Sequence, residues 1–187
     1  MRHFLKKIFN KEDGNIIIIF AFSIVVLTGF IGLAVDLGMI YMKRNELENL
    51  CQMVKADKLD NADMIRYADN PGATSYNVLS ENLSRNNFNG TLTLYFQEYE
   101  SADNSRKIRT KAVLETRQDC YFLRLFGIRD VGLHADTSGE EVYGDSQNEG
   151  ISRIWRPAAN ATTYNGSYKG SAPGSYTFVP GDKPSKW

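Results

Sequence analysis

Apolar and polar positions follow three different rhythms along this chain. From Ile16 to Val35 the sequence is uncharged and almost continuously apolar. A helix of about 20 residues, rising roughly 1.5 Å each, matches the roughly 30 Å hydrocarbon core of a bilayer, so this stretch predicts a membrane-spanning helix. From Leu37 onward, apolar positions recur at helical spacing: Leu37, Ile40, Leu47, Leu50, Cys51 and Val54, with Lys43, Arg44, Glu46 and Glu48 between them. No proline precedes Pro71, so one long helix from Asn15 to Leu59 leaves the membrane as an amphipathic stalk. Beyond Asn89-Gly90 the period becomes two. Leu92, Leu94 and Phe96 alternate with Thr91, Thr93 and Tyr95, which predicts a strand.

Two other readings of the first run fare worse. A cleaved secretory signal has an apolar stretch of about 7–15 residues and then small residues at a cleavage site. This run is longer, and no such site follows. A buried helix of a soluble domain would need more apolar sequence to enclose it than the rest of the chain offers.

The remaining elements follow from punctuation. Asn70-Pro71-Gly72 predicts a turn, after which Thr74 or Ser75 caps a short helix with Val78, Leu79 and Leu83 as its apolar stripe. Residues 107–116 predict a second strand, Cys120 to Phe126 a short helix or turn ending at Gly127, and Val131 to Val142 a third strand with Val131, Leu133 and Ala135 on one face. From Gly144 the chain is rich in Gly, Asn, Ser and Tyr and holds four of the five prolines, which predicts an irregular tail. Trp155, Tyr164, Tyr168, Tyr176, Phe178 and Trp187 are unusual for a linker; they either pack onto the sheet or form a surface for a partner. The expected organisation is a basic stem (1–14), a transmembrane and stalk helix (15–60), a small α+β domain with a short antiparallel sheet (61–143) and the tail (144–187).

Charge sets orientation and excludes one class of partner. Arg2, Lys6, Lys7 and Lys11 precede the span, which favours a cytoplasmic N-terminus and an extracytoplasmic body. The chain has 187 residues and a formal net charge of zero, so no basic face points to nucleic acid. Cys51 and Cys120 allow one intrachain pairing and are either a disulfide or two unrelated thiols.

Enzyme chemistry finds little support. The two histidines are His3, in the stem, and His134, so no nucleophile has an obvious His-and-acid pair. His134 and Asp136 share a strand face but lack the further ligands a metal site needs. No phosphate loop or dinucleotide fingerprint occurs, and no cofactor is expected. Asp36 is the charge that demands an account. A carboxylate at the end of the span either sits at headgroup level or pairs with a partner in a helix bundle. Gly29 and Gly32 either let a second helix approach closely, giving a homo- or hetero-oligomer, or are ordinary glycines of a membrane helix.

Asp13-Gly14-Asn15, the apolar run, Gly32-Leu33-Ala34-Val35-Asp36-Leu37-Gly38 and Leu47-Glu48-Asn49 together resemble the N-terminal module of TadE/TadG-like proteins of the Flp (Tad) pilus system. Phe122-Leu123-Arg124-Leu125-Phe126-Gly127 and the strand after it resemble the end of that family's small extracytoplasmic domain. The resemblance implies a pilin-like head on a membrane helix, and a non-enzymatic minor pilin or pilus-assembly component of the bacterial inner membrane, with pilin-like or pilus-assembly proteins as partners. It also implies Gly14-Asn15 as the place of prepilin-type cleavage. The family's glutamate at the fifth mature position would fall on Ile19, a departure that favours an uncut anchor. The alternative is a membrane-tethered binding or adhesion module unrelated to pili, with the aromatic tail as its binding surface.

Overall fold

The computed structural model describes residues 12–66, 68–100, 106–143 and 163–187. The chain forms two compact units, one of Met1–Met42 with Gln118–Val131 and one of Lys43–Arg117 with Gly132–Trp187. The fold class is α+β: a long apolar helix, then a five-stranded antiparallel sheet.

Helix α1 runs over Glu12–Asp60 and contributes to both units. In the first unit its side chains from Ile16 to Ile31 are exposed, including Ile17, Phe22 and Val25 at 69% each. Leaving a large apolar side chain in water forgoes about 1.5–3 kcal/mol of burial energy, so a row of such residues favours an apolar surrounding. Among the described residues, this is one helix long and apolar enough to cross a membrane.

In the second unit the last turns of α1 change role. Leu47, Leu50, Cys51 and Val54 are buried in the core, one stripe of an otherwise charged surface. A short helix α2 (Ala62–Arg66) and helix α3 (Pro71–Arg85) follow. Helix α3 starts earlier than the expected cap at Thr74 or Ser75. The Asn70 Oδ1 accepts the Ala73 N–H at 2.9 Å, and Pro71 takes the first helical position, where its missing N–H costs nothing. The turn expected at Asn70-Pro71-Gly72 is therefore the opening of the helix.

The sheet comprises β1 (Thr91–Glu100), β2 (Arg106–Asp119), β3 (Asp130–Tyr143), β4 (Gly166–Ala172) and β5 (Ser175–Pro180), in the order β3-β2-β1-β4-β5. The predicted alternation holds: Leu92, Leu94 and Phe96 are buried, and so are Ile108, Ala112 and Leu114 across the β1–β2 ladder. β1 is the central strand, with β2 on one side and β4 antiparallel on the other, Leu94 opposite Tyr168.

The irregular tail is therefore shorter than the sequence pattern indicates. Residues 166–180 are two strands of the sheet, and the tail's tyrosines are core residues: Tyr164 and Tyr168 are buried to 1% exposure. Tyr168 stacks near Tyr176 and Phe178 and lies against Gly72 of α3, where a Cβ would meet its hydroxyl at 2.4 Å. Of the two roles open to these aromatics, Tyr164, Tyr168, Tyr176 and Phe178 take packing. Trp155 lies outside the described residues.

Candidate functional site: a turn held to the apolar helix

The first unit contains one arrangement that its sequence does not advertise. After β2, residues Leu123–Phe126 form a single 3-10 turn. The loop is closed at its base by the Cys120 N–H donating to the Arg129 carbonyl at 2.9 Å, and the turn ends at Gly127, whose φ of 87° suits a residue without a Cβ. At the start of the turn no side chain of its own caps the free N–H groups.

Asp36 of α1 supplies the acceptors. Its Oδ1 accepts the Tyr121 N–H at 3.0 Å; its Oδ2 accepts the Phe122 and Leu123 N–H groups at 2.8 and 2.6 Å. The carboxylate is 1% exposed. Burying a charge costs desolvation energy, and hydrogen bonds to the charged group return it. Three of them offset the desolvation, so the ion is held in place of water by backbone dipoles. One turn of helix earlier, on the same face, Gly32 receives the Phe122 ring. A Cβ at Gly32 would lie 2.2 Å from the Phe122 Cδ1, a contact that only glycine permits. Gly32 and Asp36 thus form a two-point seat for the segment 121–123.

The rest of the turn points its apolar side chains outward. Tyr121, Leu125 and Phe126 are 69%, 82% and 79% exposed. An open apolar groove of about 630 Å³ is walled by Val25, Gly29 and Leu33 on α1 and by Phe122, Leu125 and Phe126 on the turn.

The sequence-predicted residues divide as follows. Asp36 is a paired group within this chain, its carboxylate accepting from the backbone at 121–123. Gly32 likewise seats Phe122. Gly29 has open space where its Cβ would be and stays free for a neighbour. Cys51 and Cys120 are both buried free thiols, in different units. Burial, with the Asp136 and Glu48 carboxylates added, pushes the Cys51 thiol up to about 11, so it is protonated and unreactive near neutral pH. The backbone at Gly14 and Asn15 is helical, within the first turn of α1. His134 and Asp136 lie on the exposed face of β3, and Asp136 pairs with Lys111 at 2.7 Å. No three metal-ligating side chains converge among the described residues. His3 lies outside them.

Sequence reasoning missed Tyr121, Phe122 and Leu123 as the partners of Asp36. The available signal was the buried-charge argument itself, which requires donors; nothing in the spacing says that they come from residues some 85 positions away.

Helix α1 is also where similarity to known proteins falls. The model of the Tad family, Flp pilus-assembly TadE/G-like, matches residues 14–52. The matched stretch covers the exposed apolar helix, both seat residues and the start of the buried stripe. This similarity associates the chain with Flp pilus assembly. No curated protein and no solved structure gives a match.

Proposed function

We propose that this protein is a non-enzymatic, membrane-anchored component of Flp/Tad pilus assembly, a minor-pilin or pseudopilin-like scaffold of the bacterial inner membrane. The observation that carries the reading is the TadE/G-like match on a helix whose apolar face is exposed over a bilayer's length and which continues into the core of an α+β head. The N-terminus is cytoplasmic and the head extracytoplasmic, as the basic stem favours. Apolar helix packing supplies affinity for pilin-like neighbours, and the head supplies specificity. The competing reading, a binding module with an aromatic tail surface, loses its main support because Tyr164 and Tyr168 are buried in the sheet.

Mass and N-terminal sequence of the mature protein, taken from native membranes after an alkaline carbonate wash, test this reading. An anchored scaffold is retained in the pellet with residues 1–14 attached. A chain beginning at Asn15 in the presence of the prepilin peptidase, and at Met1 without it, makes the protein a processed pseudopilin. Release into the wash contradicts anchoring in either form.

A further inference from the structure

The groove between the 3-10 turn and α1 lies on a part of the helix whose depth the sequence already sets. On the anchored reading, which this inference rests on, residues 16–35 fill the bilayer core. Ile24 to Val26 then lie near its midplane and Leu33 near its head-side boundary. Asp36 to Gly29 is about 10 Å of helix rise and Asp36 to Ile24 about 18 Å, against a leaflet core of about 15 Å. Leu125 and Phe126 line the groove together with Ile24, Gly29 and Leu33, so they stand beside helix residues at hydrocarbon depth rather than above the membrane.

The turn's backbone donors are largely satisfied within the protein, as a segment in hydrocarbon requires. Without water, every backbone N–H needs a protein acceptor. Asp36 takes those of Tyr121, Phe122 and Leu123. The N–H groups of Leu125, Gly127 and Ile128 donate to the Phe122, Arg124 and Leu123 carbonyls at 3.0, 3.0 and 3.1 Å. Leu125 and Phe126 stand nearly bare beside the exposed apolar helix, which makes one continuous apolar surface. Arg124, exposed in the same turn, has the long stem that lets a guanidinium reach the phosphate level from an apolar surface.

We propose that the Tyr121–Ile128 turn is a membrane-inserted wedge, and that the groove it forms with α1 is occupied by lipid acyl chains of the head-side leaflet. The protein then holds the bilayer at two places, the span and the wedge. The wedge fixes the rotation of the span about its own axis, because Gly32 and Asp36 must face the turn.

Depth-dependent fluorescence quenching tests this on the full chain in phosphatidylcholine–phosphatidylglycerol vesicles. Trp155 and Trp187 are replaced by Phe, and a single tryptophan is introduced as Phe126→Trp or, in a second protein, Phe22→Trp. Both sites are exposed, at 79% and 69%, so neither change disturbs packing. The proposal expects both tryptophans to lose most of their emission when the lipid acyl chains are brominated, and both to be shielded from aqueous iodide. If Phe22→Trp is quenched by bromolipid while Phe126→Trp is quenched by iodide instead, the span holds and the wedge is overturned. If Phe126→Trp is shielded from both quenchers, protein covers the groove, a second copy included, and lipid occupancy is overturned. If Phe22→Trp itself escapes bromolipid, the anchored reading has failed and the wedge falls with it.

Discussion

Asp36 and Gly32 show how two residues set what an apolar helix can hold. Three amides converge on one carboxylate, so removing it strands three donors at about 1–3 kcal/mol each wherever water does not replace it. Asp36→Ala is expected to raise hydrogen exchange at the Tyr121, Phe122 and Leu123 amides by at least about tenfold, the equivalent of about 1.4 kcal/mol, with β1 and β4 unaffected. Gly32→Val is expected to do the same by displacing the Phe122 ring. Gly29→Val, with open space at its Cβ, is expected to leave those amides unchanged. Equal effects at Gly29 and Gly32 would contradict the seat. In the sequence both glycines and Asp36 stand out for the same reason, being small or charged in an apolar run. Only the fold separates them, because which face of α1 meets the turn depends on a loop far along the chain.

The elements differ in how openly the sequence announces them. α1 and strands β1 to β3 are legible because their apolar period runs long enough to exclude the alternatives. β4 and β5 are not: they are short, start at Gly166 and Ser175, end near Ala172 and Pro180, and carry their core contribution in a few tyrosines. Glycine and proline there mark close approach, not absence of structure. At Gly170 a Cβ would meet the Ser175 carbonyl at 2.1 Å and the Tyr76 hydroxyl at 2.4 Å.

Where α1, α3 and β4 join, burial raises the ionisation of Cys51 to about 11 and moves Tyr76 and Tyr168 upward as well. The unfolded chain loses these protons first. Stability from Cys51 is therefore complete below the ordinary thiol value of about 9 and is lost as pH rises through about 11, and that from the two tyrosines is lost only above their ordinary value of about 10. Denaturant midpoints of the full chain in detergent are expected to fall between pH 8 and pH 11. An unchanged midpoint would contradict the buried placement of these groups.

At the scale of the whole molecule, one helix does two kinds of work. Its first part is exposed and apolar, suited to lipid or to other membrane helices; its last part is the inner wall of an α+β core. The match over residues 14–52 is what makes Flp pilus assembly the setting proposed for that architecture. The most direct measurement is the number of Flp pili per cell, counted by electron microscopy in the native bacterium after deletion of this gene. Pili are expected to be lost or sharply reduced. The intact chain is expected to restore them, and a chain lacking residues 16–35 is not. Undiminished pili in the deletion strain would contradict the proposed role.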